Sequence, residues 1–206
     1  RVSELLSLSM DEVVTALQSD ENSFVYSERK SRTVISTHRS SLRDKKIIKD
    51  LKAIKAAYSS SWKNLTFTEK DIQTSKGIRL SEEQLSAINV VVNAPIAVIT
   101  GGPGSGKTTM VQGLVSALIG LNSEIKICAP TGRAAKRIGE TPGLAELEPS
   151  TIHMFLAKCR AAKEDDNFDV MIVDESSMID VDLMMELLEA IPEGASLVFI
   201  GDVDQL

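Results

Sequence analysis

The segment that most limits what this chain can fold into is residues 100–109, Thr100-Gly101-Gly102-Pro103-Gly104-Ser105-Gly106-Lys107-Thr108-Thr109, which follows the apolar run 96–99. It fills the pattern G-x-x-x-x-G-K-[ST], and that pattern requires a strand, a tight glycine turn and a helix in immediate succession. Glycines let the backbone curl so that successive N–H groups converge on phosphate oxygens. Lys107 adds an ammonium against the outer phosphates, and Thr108 offers a hydroxyl to magnesium. The helix that begins here aims its dipole and free N–H groups at the same anion. The segment therefore predicts a nucleoside triphosphate held by Gly102, Pro103, Gly104, Ser105, Gly106, Lys107, Thr108 and Thr109. A ligand-free glycine turn is the alternative, and the strand before and helix after weigh against it. The reaction the triphosphate drives is not written in the loop.

Around this segment the pattern is regular. Nearly continuous apolar runs at 96–100, 125–129, 170–173 and 197–200 alternate with helical segments, as strands buried on both faces of a parallel sheet do. The expected fold class is α/β, a parallel sheet flanked by helices. Upstream the pattern changes. Ser9 and Glu12 have capping-box spacing and open a short helix to Leu17. The β-prone runs 24–26 and 33–35 flank a charged stretch and read as a hairpin with a basic tip. Ile47, Ile48, Leu51, Ile54 and Tyr58 then recur at helical spacing. Helix, hairpin, helix is compatible with a small α+β, winged-helix-like module, and the polar stretch 59–77 reads as its linker. The predicted division is residues 1–78 and residues 79–206.

Charge supports two units. The chain carries a net −6, yet residues 1–80 hold 15 Lys and Arg against 10 Asp and Glu, and residues 81–206 hold 8 against 19. The basic part is the better candidate for contact with nucleic acid, although a solvated helix face explains the lysines as well. No apolar run reaches the length that spans a bilayer, and Arg1-Val2-Ser3-Glu4 carries no apolar signal segment, so a cytoplasmic protein without membrane contact is expected. The opening Arg and the stop just past an apolar run suggest a piece of a longer protein. Cys128 lies inside an apolar run far from Cys159, which predicts a reduced, buried thiol.

Other residues suggest chemistry with alternatives beside them. Asp174 and Glu175 end an apolar strand, where Asp174 is placed to hold magnesium and Glu175 to deprotonate water, or both simply begin the next helix as acidic caps. Thr131, Gly132 and Arg133 open a helix that also contains Lys136 and Arg137. A first turn with free N–H groups, a hydroxyl and guanidinium groups suits an anionic backbone, and an ordinary capped surface helix fits as well. Ser81 and Gln84 have capping-box spacing, while the Gln84 amide also has the donor and acceptor to read an adenine edge. His153, alone, is more often structural than catalytic. Met178, Met184 and Met185 read as core. Gln205 is placed to contact a terminal phosphate.

Taken in order, Gln84, the loop 101–109, Ala129-Pro130-Thr131-Gly132-Arg133-Ala134-Ala135-Lys136, Thr151-Ile152-His153, Asp174-Glu175-Ser176-Ser177-Met178 and Gly201-Asp202-x-x-Gln205-Leu206 resemble the superfamily-1 DNA helicases. Within these the chain is similar to the RecD/TraA group, which includes the alpha subunit of exodeoxyribonuclease V. The resemblance is strong over 81–206 and loose over 5–58. It implies a RecA-like P-loop domain, the first of two motor domains, with ATP and magnesium as cofactors and single-stranded DNA as partner. By this likeness Gln84 reads adenine, Lys107 and Thr108 hold phosphate and magnesium, Asp174 and Glu175 are the metal and water residues, and Gln205 senses the terminal phosphate. Thr131, Gly132, Arg133, Thr151 and His153 would touch the DNA strand, with travel 5′ to 3′ and other subunits of a recombination or repair nuclease as further partners.

Two departures stand out. The stretch 158–168 is shorter than the one in which relatives carry a strand-splitting hairpin, and Met154 stands where relatives commonly have arginine. Without a second motor domain, whose arginine finger is worth about 10³ to 10⁵ in rate in phosphoryl-transfer enzymes, residues 1–206 alone are expected to bind ATP and hydrolyse it slowly. The competing readings are another P-loop enzyme, such as an AAA-type loader or a nucleotide kinase, and a nucleotide-switched DNA-binding module that is no enzyme.

Overall fold

A computed structural model of the chain describes residues 24–29, 32–58, 65–72, 79–102, 104–161 and 167–202. The expected helix from Ser9, Trp62, Pro103 and Gln205 lie outside these residues. The chain divides into two compact units, 1–49 and 50–206, with the division inside a helix. In the first unit β1 (Phe24–Arg29) and β2 (Arg32–Thr37) pair antiparallel, Phe24 opposite Thr37 and Arg29 opposite Arg32. The strands thus run through most of the charged stretch that the sequence assigned to the hairpin tip. Helix α1 (His38–Ala57) follows at once, and the Thr37 hydroxyl accepts the Ser40 N–H at 3.1 Å. That contact satisfies one of the backbone donors a helix start leaves open.

The second unit holds a five-stranded sheet. Its elements are α2 (Glu82–Val92), β3 (Ile96–Thr100), α3 (Lys107–Gly120), β4 (Ile125–Ala129), α4 (Gly132–Gly139), β5 (Ser150–Thr151), α5 (Ile152–Ala161), β6 (Val170–Val173), α6 (Val181–Glu189) and β7 (Ser196–Gly201). The order is β3-β7-β6-β4-β5, and every pairing is parallel. The fold is α/β with a parallel sheet, as the spacing of apolar runs predicts, and RecA-like, as the family resemblance implies. Three of the four expected strands have the expected bounds, and β7 gains one residue at each end. Two-residue β5 has no apolar run to announce it.

Alternation along the strands builds two apolar layers. Ile125, Ile127, Ala129, Val170, Ile172, Val198 and Ile200 join Ile88, Met110, Leu114, Leu118, Ala134 and Ile138 of α2, α3 and α4 in one core. The intervening Cys128, Met171, Val173, Leu197 and Phe199 are also buried, with Ile152, Phe155, Leu183 and Leu187 of α5 and α6 buried too. Burial on both faces of one sheet explains why β4, β6 and β7 read as continuous hydrophobic runs. Cys128 is free, as expected. Burial pushes its thiol up to about 11, while a contact of 3.8 Å with Ser150 Oγ partly offsets that rise.

Part of the polar stretch read as a linker is pinned to this unit. The Asn89 side chain accepts from Phe67 N–H at 2.6 Å and donates to the Phe67 carbonyl at 3.0 Å. Asn93 does the same for Leu65, at 3.1 and 2.8 Å. Two amides one helical turn apart thus treat residues 65–67 as a strand edge. Ile72 and Leu80 reach the core beyond it.

Candidate nucleotide and nucleic-acid site

Strand β3 delivers the chain into the glycine loop, and the loop closes on α3. Gly104 and Gly106 have φ of +76° and +79°, and Gly106 is the N-cap of α3. Only glycine adopts the left-handed region without penalty, so the two positions require it. The Lys107 ammonium folds back over the loop and donates to the carbonyls of Gly101 and, at 3.1 Å, Gly102.

The capping role foreseen for Gln84 is present, and its amide also reaches the glycine loop. Ser81 and Gln84 form a complete capping box, with Gln84 Oε1 accepting the Ser81 N–H at 2.9 Å and Ser81 Oγ accepting the Gln84 N–H at 3.2 Å. The remaining Nε2 donates to the Gly106 carbonyl at 3.3 Å. The cap therefore presses the amide against the loop. A Cβ at Gly106 would lie 2.5 Å from Gln84 Nε2. Gly106→Ala combines that clash with a left-handed backbone and is expected to destabilise the fold by about 1–2 kcal/mol. A urea midpoint equal to the parent's would show that the loop does not need glycine there.

Strand β6 places the acidic pair. Asp174 N–H donates to the Cys128 carbonyl at 2.9 Å, and Asp174 Oδ1 accepts the Glu175 N–H at 2.9 Å. Glu175 sits in the left-handed region, φ +52° and ψ +37°, at the head of the short 3₁₀ turn Ser176–Met178. A non-glycine residue held there stores strain, which tends to collect at functional positions. The capping alternative for this pair does not hold, since α6 is capped by Asp180, whose Oδ1 accepts the Leu183 N–H at 2.8 Å. Burial first, and the neighbouring Glu175 charge after it, raise the Asp174 carboxyl above its ordinary range. The Glu175 N–H, Arg137 and Lys107 pull the other way.

Lys107, Thr108, Asp174 and Glu175 line one cavity of about 70 Å³ together with Arg137 and Thr141. A threonine hydroxyl and a carboxylate facing one space are hard oxygen donors of the kind magnesium takes, completed by phosphate and water oxygens. Among the described residues no group of three His, Cys, Asp or Glu could hold a metal by itself.

The second group of predicted residues lies further along the same strand ends. Ala129 of β4 pairs with Thr151 of β5, so the segment 131–133 just after β4 and the segment 151–153 leave neighbouring strands. Thr131 caps α4, its Oγ1 accepting the Ala134 N–H at 3.2 Å, and Thr151 Oγ1 accepts the Met154 N–H at 3.1 Å. Gly132, Arg133, His153 and Met154 are exposed. Ligands of open α/β sheets bind at the carboxyl ends of the strands, and both groups are there.

Arg137 is where the sequence reading and the structure part. Read as one of several cations suited to an anionic backbone, it instead turns to the acidic pair, with Nη2 2.5 Å from Glu175 Oε1 and 3.7 Å from Asp174 Oδ2. The hydrogen bond to Glu175 holds its guanidinium charged more firmly than usual. Helical spacing cannot announce such a pair, because the partners stand 38 residues apart in sequence.

The AAA domain family model matches residues 84–206. Over 132 residues the chain is 39% identical to the ATP-dependent RecD2 DNA helicase of Deinococcus radiodurans, covering 62% of this chain and 18% of that protein. Over 152 residues it is 36% identical to the RecBCD enzyme subunit RecD of Mycobacterium tuberculosis, covering 61% of this chain and 26% of that one. The chain thus spans about a quarter or less of these relatives. The crystal structure of the UvsW helicase from bacteriophage T4 matches with a TM-score of 0.51 at 12% identity, over 65% of this chain and 56% of the other, and supports the fold alone. No helix among the described residues is long and apolar enough to cross a membrane. Matched by the family model over more than half its length, the chain belongs to the AAA domain family, and its P-loop unit is RecD-like.

Proposed function

We propose that this chain carries the first motor domain of an ATP-dependent DNA helicase that moves 5′ to 3′ on single-stranded DNA. One observation supports this reading above the others. The glycine loop, Thr108 and the acidic pair line one side of the strand ends, while the segments 131–133 and 151–153 stand together on the neighbouring strands. In this reading residues 79–206 are the motor domain and residues 1–78 a basic, winged-helix-like module with its linker. ATP lies on Gly102, Gly104, Ser105, Gly106, Lys107, Thr108 and Thr109, with Pro103 completing the loop and Gln84 at the adenine. Thr108 and Asp174 hold magnesium, which when bound neutralises charge on the phosphates. Glu175 takes the proton from the attacking water, and Gln205 senses the terminal phosphate.

Thr131, Gly132, Arg133, Thr151 and His153 carry the strand, mainly through its phosphates. The name of the Mycobacterium tuberculosis relative supports a place beside other subunits of a recombination nuclease. The test uses the complete protein on duplexes with a single-stranded tail at one end. A 5′ tail is expected to support ATP-dependent unwinding at least about tenfold faster than a 3′ tail, a difference read directly as a rate ratio. A preference for the 3′ tail would overturn the direction, and no ATP-dependent unwinding of either would overturn the motor.

A further inference from the structure

Helix α4 touches both halves of the site. Its buried Ala134, Ala135 and Ile138 seat it on the sheet, so its eight residues move as one body. At its start stand Thr131, Gly132 and Arg133. One turn on, about 6 Å along the axis, stands Arg137, on the same face as Arg133 by the i, i+4 rule. The Arg137 carbonyl accepts the Thr141 hydroxyl at 3.0 Å, which ties the far end of α4 to a second residue of the cavity wall.

The Arg137 contact is more than an exposed pair. Its two partners are largely shielded, the Asp174 side chain 21% and the Glu175 side chain 18% exposed, while Arg137 itself is 62% exposed. Glu175 has little freedom of its own, because its backbone is held left-handed and its N–H is bonded to Asp174. The position of its carboxylate is therefore set by what pulls on it. A carboxylate oxygen that already accepts a guanidinium N–H is not open to the proton of a water.

From this geometry we propose that Arg137 is a positioning residue that holds Glu175 out of use, and that a DNA strand seated on the start of α4 releases it by shifting the helix. The proposal rests on the helicase reading for its trigger. It needs no third element, because the strand-facing residues and the guanidinium are one turn apart on one short helix. It also gives Arg137 a second effect, since a cation 3.7 Å from Asp174 opposes any other cation there.

The complete protein and its Arg137→Ala and Arg137→Gln variants provide the test, by steady-state ATP hydrolysis with and without oligo-dT and by magnesium titration of fluorescent ATP-analogue binding. Both variants are expected to raise DNA-free turnover on the order of tenfold, to bring the stimulation by oligo-dT close to unity, and to lower the half-saturating magnesium several-fold. An arginine that merely braces the fold would give lower turnover and weaker nucleotide binding instead. DNA-free turnover that is unchanged, or falls in step with the stimulated rate, overturns the proposal. Should the parent protein hydrolyse ATP with no response to DNA, the helicase reading fails separately. In that case an unchanged magnesium midpoint sinks the hold on the acidic pair, and a lowered one upholds it without the DNA trigger.

Discussion

Lys107→Ala is expected to weaken ATP binding on the order of a hundredfold, because charge-assisted hydrogen bonds to phosphate contribute more than neutral ones and the ammonium can make two or three. The fold should tolerate the change. The described contacts of the ammonium are two carbonyls of the loop itself, those of Gly101 and Gly102, and loop carbonyls near the surface regain partners in water. Titration with a fluorescent ATP analogue checks the affinity, and a urea midpoint within error of the parent checks the fold. The same variant separates a motor from a nucleotide-switched binding module. The proposed DNA contacts at Thr131, Arg133 and His153 do not involve Lys107, so salt-sensitive DNA affinity should persist while unwinding is lost. Unwinding that survives in the complete protein would end the helicase reading.

Glu175→Gln is expected to separate binding from hydrolysis. Glutamine matches glutamate in shape and keeps its N–H to Asp174, but it has no base to offer, and a positioned general base contributes about 10²- to 10⁴-fold. Turnover should fall by about that factor while ATP affinity holds or improves. The improvement has a physical cause in Asp174. Its carboxyl is pushed up by burial and then by the Glu175 charge, so removing that charge lets Asp174 stay ionised more readily. Single-turnover hydrolysis alongside analogue binding makes the comparison. Equal losses in affinity and turnover would mean that Glu175 serves the shape of the site and not its chemistry.

Much of the P-loop unit was legible because it is built from local rules. Burial on both faces made β4 and β6 continuous apolar runs, β3 is an apolar run although Val98 is exposed, and the bounds of all three follow from those runs. The capping box at Ser81 and Gln84 and the glycines at 104 and 106 follow from backbone hydrogen-bonding needs within a few residues. Two-residue β5 escaped notice because it has no run, and its place beside β4 comes from pairing Ser150 and Thr151 with Cys128 and Ala129. The docking of residues 65–67 escaped as well, since backbone bonds from Leu65 and Phe67 to the Asn93 and Asn89 side chains leave no period in the sequence.

The order of residues alone determined that a strand, a glycine loop and a helix would meet at Lys107, and that a carboxylate pair would end another strand. Local hydrogen bonding and apolar periodicity act over a few residues, so they are written in the order of residues. Tertiary structure alone decided that Gln84 would serve its cap and the loop at once, and that Arg137 would turn to Glu175. Those outcomes depend on which strand ends the sheet sets side by side, and a side-chain pair bridging 38 residues has no period by which it could be foreseen.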